Sequence, residues 1–207
     1  MNERGLIVAV SGPSGVGKGT VLARVEELME KAAPGSVGHS ISVTTRAPRG
    51  AELDGVEYYF RTKEQFEQMI SEGKIVEYDK YVDNYYGTPS EPLVKMMDNG
   101  QDILFDITIE GSLALDRKFG EDAITIFILP PSMEVLENRL RGRGTETEEK
   151  IRLRLEQARN EIKRAGEFEY IITNDDLEKA AGDILAIIKS EKLKASRNIN
   201  AFKKFES

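Results

Sequence analysis

The residues with the most evident chemistry are Ser11-Gly12-Pro13-Ser14-Gly15-Val16-Gly17-Lys18-Gly19-Thr20, directly after the apolar run Leu6–Val10 and directly before a helix-forming stretch. The spacing Gly12-x-x-x-x-Gly17-Lys18 lets successive backbone N–H groups turn inward around phosphate oxygens. A following helix N-terminus adds partial positive charge, and Lys18 adds a point charge. With glycine at ~7% and lysine at about 6% of residues, such a triplet arises by chance roughly 0.06 times in a chain of this length. An ordinary glycine-rich turn is therefore the poorer reading. Gly19 stands where the strict motif has the hydroxyl residue that reaches Mg²⁺, and the first hydroxyl comes at Thr20.

A second constellation runs from Ser42 through Arg46, Pro48, Arg49 and Glu52 to Tyr58, Tyr59 and Phe60. Two arginines three apart, with proline between them, make a fork suited to bidentate capture of a phosphate, and nearby tyrosine hydroxyls can complete the cradle. Farther on, Arg139, Arg141, Arg143, Arg152 and Arg154 crowd with glutamates around Gly142 and Gly144, as expected of a mobile, solvated lid.

These groups need a scaffold. Apolar runs at Leu6–Val10, Ile103–Ile107, Ile124–Leu129 and Tyr170–Thr173 alternate with helical-period segments at Gly17–Lys31, Pro131–Arg141, Glu148–Arg164 and Asp176–Lys192. Buried parallel strands in an α/β sheet are the expected result. Between residues 39 and 94 the texture changes. Ser42–Thr45, Val56–Phe60 and Ile75–Val82 are rich in β-branched and aromatic residues, which predicts a small, partly antiparallel insert. Lys189–Ser207 holds six basic and two acidic residues and reads as an exposed helix or frayed end.

Composition excludes several classes. With 36 acidic against 29 basic side chains the net charge is −7, which disfavours binding of nucleic acid by phosphate neutralisation. The chain has no cysteine, so disulfides and thiolate metal sites are out of reach, and its single histidine, His39, disfavours a serine-histidine triad. The first apolar run is too short for a signal-peptide core or a membrane span, and a cytoplasmic location without membrane attachment is expected.

The loop variant Gly17-Lys18-Gly19-Thr20 resembles that of nucleoside monophosphate kinases, and with the fork the chain closely resembles guanylate kinases. That resemblance continues through Gly73-Lys-Ile-Val-Glu77-Tyr78, Asn84-Tyr85-Tyr86-Gly87-Thr88, Asp106-Ile107, Pro130-Pro131-Ser132, Arg139-Leu-Arg-Gly-Arg143-Gly-Thr-Glu-Thr-Glu and Asn174-Asp175. It covers roughly residues 5 to 190. The implied fold is a three-layer phosphate-loop core at 1–38, 95–133 and 161–195, a mixed α/β GMP-binding insert at 39–94, a helical lid at 134–160 and a charged tail at 196–207. The implied activity is transfer of the γ-phosphoryl group of ATP to GMP with Mg²⁺, by a monomer or homodimer, in purine nucleotide metabolism.

By the same resemblance, residues 12–20 (Gly12, Pro13, Ser14, Gly15, Val16, Gly17, Lys18, Gly19 and Thr20) hold the ATP phosphates, and Asn174 meets the adenine. Arg46, Arg49, Tyr58 and Tyr86 hold the GMP phosphate, Glu52 orients the fork, and Ser42, Glu77 and Thr88 beside Gly87 read the guanine. Asp106 faces metal and acceptor, so Thr20 and Asp106 are the candidate metal contacts, largely through water. Arg139, Arg143 and Arg154 close over the ATP phosphates and, with Lys18 and Arg46, carry the catalysis. The family's second acid, two residues after Asp106, is Thr108 here, and Glu110 is not an assured substitute.

Plainer roles are expected elsewhere: His39 as a surface or pairing histidine, Arg141 and Arg152 as solvated lid charges, and Phe60, Phe127 and Phe168 as core. Glu146, Glu148 and Glu149 are expected to offset lid arginines and cap the next helix. Two other readings stay open. One is a guanylate-kinase-like module that binds phosphopeptides through the fork, which would tolerate loss of Lys18. The other is a related kinase with a different acceptor, against which the set Ser42, Glu77 and Thr88 argues.

Overall fold

The computed structural model describes residues 4–142 and 147–198, so the expectations placed on Arg143, Glu146 and the last nine residues lie outside the described residues. Strand β1 (Ile7–Ser11) is buried along its whole length because alternate side chains feed two cores. Leu6, Val8 and Val10 pack with Val21, Leu22 and Val25 of helix α1 (Lys18–Ala32) and with Ile184 and Ile188 of α7 (Leu177–Lys192). Ile7 and Ala9 face Leu93 and Met97 of α3 (Ser90–Asp98) and Leu115 of α4 (Ile109–Phe119). A strand covered on both faces has no solvent side, hence its uninterrupted apolar sequence.

With β2 (Val37–Gly38), β7 (Asp102–Asp106), β8 (Ala123–Leu129) and β9 (Tyr170–Thr173), this strand forms a five-stranded sheet in the order β2-β7-β1-β8-β9. Every pairing in it is parallel. The carboxyl ends of β1, β7, β8 and β9 therefore open on one edge, where open α/β sheets bind ligands. Each of the four apolar runs became a strand. Helices α5 (Met133–Gly142) and α6 (Glu148–Ile162) lie within two residues of the expected bounds.

Three helices went unforeseen. Helix α2 (Lys63–Ser71) starts with a capping box in which Thr62 accepts from the Gln65 N–H and Gln65 reaches back to the Thr62 N–H, a Thr-x-x-Gln signature readable in sequence. Helix α4 opens with Gly111 and Ser112 near its start, weak helix formers that mask its period. Helix α3 straddles residues 94 and 95, the expected end of the insert, and its Leu93 packs in the main core.

The insert is a four-stranded sheet ordered β4 (Tyr59–Phe60), β3 (Val43–Thr44), β6 (Asn84–Pro89), β5 (Ile75–Tyr81), parallel between β3 and β4 and antiparallel elsewhere. Its apolar cluster is small, with Val43, Phe66 and Ile75 as the buried members. Phe60 is not core: it is half-buried, its ring lying 5.8 Å from the Arg46 guanidinium carbon. The lid helix is capped by the Thr147 hydroxyl rather than by a glutamate, and Glu148 pairs with Arg141. Arg197 is not frayed. It donates to Asp122 and to the Arg4 carbonyl and keeps 10% of its side chain exposed. Among the described residues no helix is long and apolar enough to cross a membrane.

Candidate active site

The loop between β1 and α1 adopts a conformation that its glycines permit. Gly17, the residue before α1, sits at φ 98°, and a Cβ added at Gly12 would lie 2.4 Å from the Ile128 carbonyl oxygen. The loop is strapped from the far side of the sheet. The Asn174 side-chain amide donates to the Val16 carbonyl at 2.8 Å, and Arg139 donates to the same carbonyl at 3.1 Å and to the Asn174 carbonyl at 3.0 Å. Asn174 is 7% exposed. Here the amide expected at the adenine and the arginine expected over the phosphates both hold the loop's shape. Arg154, from α6, donates to the Ser14 hydroxyl at 2.7 Å.

Lys18 donates to the Gly12 carbonyl at 2.7 Å, and its ammonium lies 3.7 Å from Asp106 at the end of β7. Burial raises the Asp106 carboxyl above its ordinary range, and Lys18 opposes that shift. An ideal Cβ at Gly19 would be 3.7 Å from the Asp106 carboxylate, so the missing side chain leaves space between the loop and this acid. Thr20 follows as an exposed residue of α1. Thr108 caps α4, its hydroxyl accepting from the Gly111 N–H at 3.2 Å. Glu110 pairs with Arg164, which holds its carboxyl below the usual range.

On the insert, Arg46 makes two parallel bonds to Glu52, each 2.9 Å, and the Arg49 N–H donates to the same carboxylate at 2.7 Å. Arg46 and then the Arg49 N–H hold the Glu52 carboxyl below the usual range. The Arg46 guanidinium lies 5.3 Å from the centroid of Tyr58, whose ring meets Tyr86 edge-on at 6.0 Å. Arg46, Tyr58 and Tyr86 of the expected phosphate cradle are thus brought together, while Arg49 joins them through its backbone N–H and is exposed.

The guanine set depends on an irregularity. In β5 the register shifts between Ile75, opposite Pro89, and Tyr78, opposite Gly87. Ile75 and Tyr78 consequently both face Phe66, whereas plain alternation would put Ile75 and Glu77 on the same side. Glu77 turns instead to the cleft, where Thr88 donates to it at 2.6 Å. Burial pushes the Glu77 carboxyl up, the Thr88 bond opposes, and the charge of Asp79 adds to the rise.

A cleft of about 980 Å³ is lined by Gly12, Ser14 and Lys18 of the phosphate loop and α1, by Ser42, Glu77, Tyr86 and Gly87 of the insert, and by Asp106 at the end of β7. A neighbouring cavity of about 240 Å³ adds Thr88 and Ser40 beside Ser42 and Glu77. Asp79, Thr108 and Gln157 also line the main cleft. Asp79 carries no motif signal, and strand alternation from Glu77 is what reaches it. Gln157 comes from the lid helix, and no local pattern places it here.

The guanylate kinase family model matches residues 3–191. A guanylate kinase of Oceanobacillus iheyensis is 43% identical over 204 residues, covering 99% of this chain and 96% of the relative. One of Listeria innocua is 46% identical, covering 99% and 97%. The crystal structure of guanylate kinase from Anaplasma phagocytophilum superposes with a TM-score of 0.67 at 33% identity, over 95% of this chain and 90% of that one. With a family match over nearly its whole length and relatives above 40% identity, this chain belongs to the guanylate kinase family.

Proposed function

We infer that the chain catalyses ATP + GMP ⇌ ADP + GDP, with the phosphate loop holding the donor and the insert holding the acceptor. The observation that carries this reading is that Lys18 and the loop line the same cleft as Glu77, Ser42, Tyr86 and Asp106. The GMP phosphate has its second pKa at about 6 and is already anionic, so its oxygen attacks the γ-phosphorus in line without a general base. The obstacle is bringing two polyanions together. Lys18 and the Arg46–Arg49 fork supply positive charge there, and Arg154 does so from the lid helix. Approach of insert and lid excludes water, which would otherwise accept the phosphoryl group.

The residues present fit a Mg²⁺ ion that keeps much of its water. Gly19 leaves space beside the Asp106 carboxylate, and among the described residues no group of three histidines or acids offers an all-protein cage. Asp106, with Thr20 through water, would hold the ion, which when bound neutralises charge on the β- and γ-phosphates. The substrates favour a place in cytoplasmic purine nucleotide metabolism. A phosphopeptide module would have no use for Lys18 and its strapped loop, so the binding-module reading is set aside.

ADP release coupled to a reporter, measured across GMP, AMP, dTMP and CMP, tests the reading. Turnover with GMP alone is expected, whereas equal turnover with AMP or a pyrimidine monophosphate would refute the guanine pocket.

A further inference from the structure

We propose that Asp79 is a specificity residue of the acceptor site, its carboxylate accepting from the ribose hydroxyls of the nucleotide and so favouring GMP over its deoxy forms. The proposal rests on the GMP-kinase reading above. The bulge that turns Glu77 to the cleft sends Asp79, two residues on, to the same face, and both line the cleft. Asp79 is directly opposite Tyr86, while Glu77 is bonded to Thr88 on the same partner strand. Successive rungs of one sheet face thus present Glu77 with Thr88, then Asp79 with Tyr86, and Tyr86 leads through Tyr58 to Arg46. Two residues of strand span about 6.6 Å. Asp79 therefore lies one rung from the group that reads the base, on the side toward the groups that hold the phosphate, the stretch a nucleotide's sugar spans.

Charge decides what this residue can recognise. An ionised carboxylate only accepts hydrogen bonds. A phosphate offers it no donor and has the same sign, and the donors of guanine are taken by Glu77. The donors left between base and phosphate are the ribose hydroxyls. One Asp79 oxygen accepts the Lys80 N–H at 2.7 Å, and among the described residues no lysine or arginine pairs with the side chain. A second acid beside Glu77 opposes ionisation of the guanine reader, so it is a burden on the site unless the ligand satisfies it.

Steady-state kinetics and calorimetric binding of GMP, 2′-deoxyGMP, 3′-deoxyGMP and AMP, in the parent, Asp79→Ala and Asp79→Asn, test the proposal. The parent should prefer GMP over at least one deoxy form by about tenfold, the usual scale for a bond to a charged group. At a pH where Glu77 is ionised in parent and variant alike, Asp79→Ala should bring that ratio to within about twofold through a higher GMP KM, with kcat at saturation and the GMP/AMP ratio unchanged. Asp79→Asn keeps one acceptor oxygen and should fall between. A parent that handles both deoxy forms like GMP, or an unchanged ratio in Asp79→Ala, would overturn the proposal. So would a parallel shift in GMP/AMP, because Asp79 would then act through Glu77. A parent that binds GMP but transfers nothing would defeat the kinase reading instead, and the calorimetric GMP-to-deoxy ratios would still decide the role of Asp79.

Discussion

The phosphate loop and the acceptor insert hold their functional groups by different means. The loop is built of main-chain atoms whose shape is set from far along the chain: Val16 receives Asn174 from 158 residues away and Arg139 from 123. It stands on a sheet buried on both faces. The insert relies on side chains that fix one another locally, Arg46 on Glu52 six residues on and Thr88 on Glu77 eleven away, over a cluster of three buried apolar residues. The donor side is preorganised by the core, and the acceptor side by pairs of its own polar groups. Damage to a local pair should change how the acceptor nucleotide is held, and damage to the loop should change the rate.

The largest effect should come from the guanine pair. Guanine offers N1–H and N2–H₂ to the Glu77 carboxylate, while AMP leaves it desolvated and unpaired, so GMP should exceed AMP in kcat/KM by ~10⁴-fold. Glu77→Gln, able to donate to adenine N1, should narrow that ratio by about 100-fold through the GMP KM. An unchanged ratio would remove Glu77 from the pocket and weaken the contrast between the two halves. Next comes Lys18→Met, which should lower kcat by at least ~100-fold while calorimetric GMP binding holds.

Arg46→Ala should weaken GMP and AMP alike, by ~10- to 100-fold in KM, because it meets only the phosphate they share. Arg139→Ala and Asn174→Ala each remove one donor from the Val16 carbonyl and should cost about tenfold in kcat with GMP affinity retained. A loss of GMP binding in either would show that the strap serves the acceptor side as well.

Smaller effects follow from the raised Glu77 pKa. The GMP KM of the parent, relative to Glu77→Gln, should climb as pH falls through a range above that of an ordinary carboxylate, since only the ionised form accepts from guanine. Dividing by the variant removes the titration of GMP itself. For stability the sign is opposite. The folded chain holds this proton more tightly than the unfolded one, so the contribution of Glu77 is present at low pH and lost as pH rises through the raised value. At neutral pH without ligand, Glu77→Gln should be as stable as the parent to within about 1 kcal/mol, and thermal melts would check this.

What the sequence by itself determined is local. The glycines and Lys18, the Arg46–Arg49 fork and the strand runs each lie within a few residues of one another, where spacing and side-chain chemistry point to what they can do, and the family resemblance added Glu52 to the fork. Tertiary structure decided the rest, because it depends on distance in space between groups far apart in the chain. It made Asn174 and Arg139 supports of the loop, gave Thr108 to the cap of α4 and Glu110 to Arg164, and drew Arg197 back to Asp122. It also placed the bulge in β5, which period-two alternation cannot foresee and without which Glu77 and Asp79 would face Phe66 rather than the cleft.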